Sequence, residues 1–186
     1  DAQGFSSNLT FIITGPLNHI GSLSKIWPSI IVGASIYIMD GLKDLPAFFK
    51  VVKDAPWKVA TFQVPASLRM MIQFGEKQLR DCSEKFDFIE TGAAPISQSD
   101  MEKLCELLPH TRLYNTYAST ETGIIATHNF NGGYCVAGCL GKPMKHSALT
   151  IDDDGFIVCQ GKTLMIGYCG DLDETNRVPV SYTHLR

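Results

Sequence analysis

Two short segments concentrate side chains suited to holding a flat ring beside phosphate groups. The first is Gly92-Ala93-Ala94-Pro95, a turn between a β-like run and a helical pattern. In open parallel sheets ligands bind outside the carboxyl ends of the strands, and residues this small let a planar ring approach the backbone. A strand-to-helix turn also favours small residues and proline with no ligand present. The second segment is Tyr114 to Gly123, YNTYASTETG. An aromatic there is placed to stack on a base. Ser119, Thr120 and Thr122 offer hydroxyls to phosphate oxygens, and Glu121 is a hard oxygen ligand suited to Mg²⁺. The same residues would equally cap a polar helix N-terminus. Each segment alone is ambiguous.

The elements around them point to an α/β fold. His19 to Ile31 reads as a helix, interrupted or restarted near Pro28, and Ala34 to Met39 follows as a buried strand closed by Asp40-Gly41. Leu45, Phe48, Phe49 and Val52 recur at helical spacing before Pro56, and Lys58 to Phe62 is a second strand. Pro65 opens a helix running to Phe74, with Leu68, Met71 and Ile72 as its inward stripe, serving as core or as pocket wall. Phe86 to Glu90 is the strand before the Gly92 turn. Ser99 and Glu102 form a capping box for the helix of Met101, Leu104, Leu107 and Leu108, and Thr111 to Tyr117 is the next strand. Strands alternating with helices imply a mainly parallel sheet with helical crossovers. From about residue 130 to 168 short runs between glycine-rich turns predict a smaller antiparallel β-rich region. The expected division is 1–130 as an α/β part and 131–177 as a β-rich part of the same, partial domain. Residues 178–186 form an unassigned tail, read as frayed or as foreign sequence.

Composition narrows the classes. With a net charge of −3 and no basic cluster among aromatics, nucleic-acid binding is not expected. The longest apolar stretch, Ile30 to Met39, is broken by Gly33 and Ser35 and is too short to span a bilayer. No basic-then-apolar leader is visible, so a cytoplasmic setting is expected, and the opening DAQGFSSNLT without Met suggests a fragment. Cys135 and Cys139 are the one close pair among six cysteines, without the further ligands that zinc wants, and reduced buried thiols are expected. Asp152 to Asp154 lacks the spacing of a calcium loop and reads as a solvated hairpin turn.

The order of motifs says more than any one of them. FIETGAAPIS, followed about twenty residues later by LYNTYASTETG, resembles the adenylate-forming superfamily, which holds acyl- and aryl-CoA ligases, firefly luciferase and peptide-synthetase adenylation domains. PLNHIGSL resembles its acyl-pocket segment, while GCLGKP and GFIVCQGKTLMIGYCGD resemble its later β-rich segments in the same order. The resemblance covers roughly residues 14 to 176. It implies that Gly92, Ala93, Ala94 and Pro95 line the adenine face, with Asn115 on the nucleotide side and Tyr117 stacking on the ring. Thr120 would contact the α-phosphate and Glu121 would hold Mg²⁺, these two being the candidate catalytic residues. His19, Gly21 and Ala118 would shape the acid pocket. A lone histidine ahead of an apolar helix is otherwise a cap or core residue, and only its P-L-x-H-x-x-G setting raises it. Ala118 stands where the family usually has glycine, which implies a slightly narrower pocket.

The implied reaction is attack of a carboxylate on the α-phosphorus of ATP, then acyl transfer to a thiol, usually coenzyme A. The GAAP form of the turn resembles CoA ligases more than peptide-synthetase domains. A phosphate loop with its lysine, a ribose-binding T-G-D and the adenylating lysine of a small C-terminal domain do not occur in the sequence. The parent protein is therefore expected to be a ligase and the chain by itself inactive. A non-catalytic nucleotide-binding or scaffold module of the same fold is the alternative. A dinucleotide enzyme is disfavoured because no G-x-G-x-x-G follows a strand.

Overall fold

The strand that organises the molecule is Leu9–Ile13 (β1), a run of five residues buried on both faces. It lies ahead of the first element legible in the sequence, because so short an apolar run has no periodicity to declare it. The computed structural model describes residues 3–178 and 183–185. After β1 come helices α1 (Ile20–Leu23) and α2 (Ile26–Val32), strand β2 (Ser35–Ile38), helix α3 (Leu45–Asp54) and strand β3 (Lys58–Gln63). Helix α4 (Pro65–Asp81), strand β4 (Phe86–Thr91), helix α5 (Gln98–Leu107) and strands β5 (Arg112–Ser119) and β6 (Gly123–Asn129) follow. Strands β7 (Lys142–Pro143), β8 (Ser147–Ile151) and β9 (Ile157–Gly161), helix α6 (Leu172–Arg177) and strand β10 (Thr183–Leu185) complete the order.

Among the described residues the main sheet has seven strands in the order β2-β1-β3-β4-β5-β6-β7. Strands β1 to β5 run parallel, and β6 and β7 join antiparallel. A small antiparallel sheet, β10-β9-β8, stands beside it. This is the expected α/β architecture with a β-rich addition. The antiparallel pairing begins at Gly123, directly after β5. Thr183–Leu185, from the unassigned tail, pair with β9, while residues 179–182 and 186 lie outside the described residues.

Two apolar clusters sandwich the sheet. On one face α3, α4 and α5 bury Phe48, Phe49, Val52, Leu68, Met71, Met101 and Leu104 against Ile12, Ile89 and Leu113. Leu68 and Met71 thus serve the core. The helix continues well past Phe74, bending at Gly75, whose backbone leaves helical geometry against the Phe49 ring. On the other face Phe11, Phe88 and Tyr114 form an aromatic row with Phe5.

Four local expectations change. The break in the first helix falls at Ser24–Lys25, and Pro28 sits in the first turn of α2. A missing N–H is tolerated there because first-turn donors have no intrahelical partner. Strand β2 is an edge rather than a buried strand, with Tyr37 48% and Ile38 55% exposed. The cap of α5 is Ser97, whose Oγ accepts from Asp100 N at 3.2 Å, in place of the Ser99–Glu102 box. Ser119 to Thr122 cap no helix; they form the β5–β6 hairpin turn.

Candidate active site

Because side chains alternate along a strand, β4 sends Phe88 and Glu90 to the face opposite α3–α5, and Gly92 ends that same row. On β5 the matching row is Tyr114, Thr116 and Ala118, with a register shift between Tyr117 and Ala118. Helix α1 lies over these strand ends. Between them opens a cavity of about 310 Å³, lined by His19, Gly21, Lys25, Phe62, Glu90, Gly92, Ala93, Ala118 and Thr120 among others. It stands at the carboxyl ends of parallel strands, where such folds bind ligands.

Cap and pocket wall turn out to be the same residue at His19. It is the N-cap of α1, its Nδ1 accepting from Gly21 N at 3.1 Å, and it also faces the cavity. Gly21 lies so close to Phe62 that an added Cβ would stand 2.9 Å from the ring. The small residue keeps the aromatic wall flat. Ala93 adopts a left-handed backbone, φ 68°, which costs an L-residue about 1–2 kcal/mol. Strain of that kind gathers at ligand sites.

The structure brings His19, Gly21, Gly92, Ala93, Ala118 and Thr120 to one cavity. Ala94, Pro95, Asn115, Tyr117 and Glu121 do not line it. Asn115 and Tyr117 alternate with the cavity row on β5. Asn115 Nδ2 donates to the Cys139 carbonyl at 3.0 Å, tying β5 to the following loop, and burial raises the Tyr117 phenol above its ordinary pKa. Ala94 and Pro95 are exposed at the rim.

Glu121 sits at the tip of the β5–β6 turn. Ser119 and Thr122 stiffen that turn, since Thr122 N donates to Ser119 Oγ at 3.2 Å and Ser119 N to Thr122 Oγ1 at 3.3 Å. The Glu121 backbone carbonyl accepts from Met165 N at 2.7 Å, and its Oε1 accepts from the Tyr168 hydroxyl at 2.7 Å. The Tyr168 hydrogen bond, opposed by partial burial, holds the Glu121 carboxyl below its ordinary value. An ionised, half-buried carboxylate fits a magnesium ion. No cluster of three acidic, histidine or cysteine ligands occurs among the described residues, so phosphate and water oxygens would complete the shell.

Lys25, Glu90 and Tyr168 are among the residues that sequence reasoning missed, as are the cavity-wall residues Ile20, Phe62 and Ile124. Lys25 Nζ donates to both Glu90 oxygens at 2.7 Å, with exposures of 3% and 1%, across 65 positions of sequence. Nothing local in either segment marks that pairing. Away from the site, burial beside Cys135 pushes the Cys105 thiol up to about 12, so it is no nucleophile near neutral pH.

Tyr168→Phe should let the Glu121 pKa climb back toward the ordinary carboxylate value. A depressed carboxylate contributes stability above its unfolded pKa and loses it as pH falls through the folded one. The variant should therefore lose the Glu121 contribution at higher pH than the parent. Carboxyl-carbon NMR titration reads this directly, and an unmoved Glu121 curve would refute the assignment to Tyr168.

The AMP-binding enzyme family matches residues 1–169. The medium/long-chain-fatty-acid–CoA/3-oxocholest-4-en-26-oate–CoA ligase of Mycobacterium marinum is 27% identical over 168 residues, covering 90% of this chain and 30% of that protein. The 4-coumarate–CoA ligase-like 6 protein of Arabidopsis thaliana is 26% identical over 197 residues, covering 97% of this chain and 34% of its own length. The chain thus spans about a third of the curated relatives it matches. Among solved structures, IdnL1 superposes with a TM-score of 0.84 at 19% identity, covering 94% of this chain and 38% of its own. O-succinylbenzoate coenzyme A synthetase of Bacillus subtilis, in complex with ATP and magnesium, gives 0.82 at 19% identity, covering 97% of this chain and 39% of its own. Those likenesses establish a shared fold. With a family match across most of its length and a crevice at the carboxyl ends of a parallel sheet, this chain belongs to the AMP-binding enzyme family.

Proposed function

We propose that the chain forms the acid- and nucleotide-binding part of an ATP-dependent ligase that activates a small carboxylic acid as its acyl-adenylate. The acyl group then passes to a thiol, that of coenzyme A. The supporting observation is the meeting of the Gly92-Ala93 turn, the β5–β6 hairpin and His19 around one cavity. Residues 1–130 and 131–177 are read as two parts of one domain.

In this reading Gly92 to Pro95 face the adenine and Tyr117 stacks on it, with Asn115 fixing the nucleotide side of β5 to its loop. His19, Gly21 and Ala118 hold the acid. Thr120, exposed at the hairpin, hydrogen-bonds the α-phosphate, so the carboxylate and the α-phosphorus are held side by side. Positioning of this kind is most of what phosphoryl-centre displacement requires. Glu121 would hold Mg²⁺, which when bound neutralises phosphate charge during the displacement. Carboxylate attack releases pyrophosphate, and thiol attack on the acyl carbon then releases AMP. The isolated chain is expected to make no acyl-AMP.

Calorimetric titration of the chain with ATP tests the reading. Binding should be tighter with Mg²⁺ present, and Glu121→Ala should weaken that Mg²⁺-dependent affinity by about tenfold. Binding that ignores both magnesium and Glu121→Ala would favour a non-catalytic nucleotide-binding module. Acyl-AMP formed by the chain with ATP, Mg²⁺ and a panel of acids would overturn its inactivity.

A further inference from the structure

The floor of the cavity holds an ion pair that carboxylate activation does not use. Lys25 and Glu90 both line the cavity and are almost wholly buried, and Gln3 Nε2 reaches Glu90 Oε2 at 3.5 Å from behind. The Lys25 ammonium also stands 5.6 Å from the centre of the Phe62 ring, another cavity wall. The rest of the lining is largely small or apolar, with Ile20, Gly21, Phe62, Ala118 and Ile124. A polar floor under apolar walls discriminates among acid tails.

Charge decides which tail fits. The pair is internally neutral, so a tail bearing its own charge would bring a third buried charge without a partner. An ω-carboxylate would face Glu90, and an ω-ammonium would face Lys25; each is strongly penalised in a desolvated site. A plain hydrocarbon tail displaces water and offers nothing in return. An ammonium has three donors, and among the described residues those of Lys25 meet acceptors only on Glu90. One donor therefore remains for a ligand. A hydroxyl suits this floor because it accepts from Lys25 and donates to Glu90 at once.

Length follows from the strand. Glu90 lies on β4 and Gly92 just past its end, two residues on, roughly 7 Å at the rise of an extended chain. An acid whose carboxylate lies beside Gly92 and Thr120 would reach the floor with a tail of about that length. We infer that the Lys25–Glu90 pair selects a carboxylic acid carrying a neutral hydroxyl at its far end, about 7 Å from the carboxylate. The inference rests on the reading of this cavity as the acid pocket.

The test is calorimetric binding of four matched acids to the chain: hexanoate, its ω-hydroxy derivative, its ω-amino derivative and adipate. The ω-hydroxy acid should bind about tenfold more tightly than hexanoate, with the two charged-tail acids weaker still. The double variant Lys25→Met/Glu90→Met removes both charges together and so leaves neither one orphaned. With its fold checked by circular dichroism, it should bind hexanoate and the ω-hydroxy acid equally. Hexanoate or a charged-tail acid binding best to the parent chain would overturn the inference and leave the acid pocket standing. A hydroxyl preference that survives in the double variant would overturn the role of the pair. Binding of none of the four would overturn the acid-pocket reading itself, and the inference with it.

Discussion

Lys25→Met alone is expected to destabilise the fold by about 3–5 kcal/mol, the usual effect of removing one partner of a buried ion pair. Glu90 is 1% exposed, and its two oxygens take their short hydrogen bonds from Lys25. Without the ammonium, the carboxylate must stay charged without compensation or take up a proton in the core. Either outcome is a large part of the roughly 5–15 kcal/mol that holds a domain together. Urea denaturation followed by circular dichroism should show the midpoint falling steeply. The double replacement by methionine should recover most of that loss, since well-packed apolar residues often match or exceed a buried pair. A single variant as stable as the parent would mean that Glu90 finds another partner, and would undo the account of the cavity floor.

Gly92→Ala should have the next largest effect. An added Cβ would stand 2.7 Å from the Thr116 carbonyl, closer than side chains tolerate, and the obstacle is backbone. The pairing of β4 with β5 runs up to Thr91 and Asn115, so the new methyl would push the strands apart where the site begins. Overpacking of this kind costs about 1–3 kcal/mol. The same displacement moves the Gly92-Ala93 wall against the hairpin, so AMP affinity should fall by about tenfold or more. Chemical denaturation and AMP titration on one sample check both. An unchanged midpoint with unchanged AMP affinity would show that the strand ends part freely and that Gly92 is not needed for close approach.

How much of this was legible in the sequence depended on range. Apolar spacing marked α3, α4 and α5, because a helix writes its buried face into neighbouring residues. The Gly92 turn and the Tyr114–Gly123 segment, each ambiguous alone, stood out as a pair through the family resemblance carried by their order and spacing. Pro28 misled on the helix break because proline is harmless in a first turn, and Ser97 lost to Ser99 because two serines stood within reach of the same helix start. What local reading does not reach is a partner across the fold. Lys25 looks like any solvated lysine until β4 brings Glu90 to it, and Tyr168 acquires its meaning only when the later loops fold back onto Glu121. Edge and interior strands were confused for a related reason. ASIYIM is apolar enough for either, and only the order of the sheet places β2 outside β1.

That outer position also shapes how the chain behaves among copies of itself. Tyr37 and Ile38 on β2 lie next in the fold to α2, where Trp27, Ile30 and Ile31 are 61%, 60% and 81% exposed. An edge strand with unsatisfied backbone groups beside an apolar helix surface is adhesive, since another strand or apolar face gains both hydrogen bonds and burial by settling there. The net charge of −3 offers little general repulsion to oppose such contacts. A lysine in place of Ile31 would add charge at that margin on a side chain the core does not use.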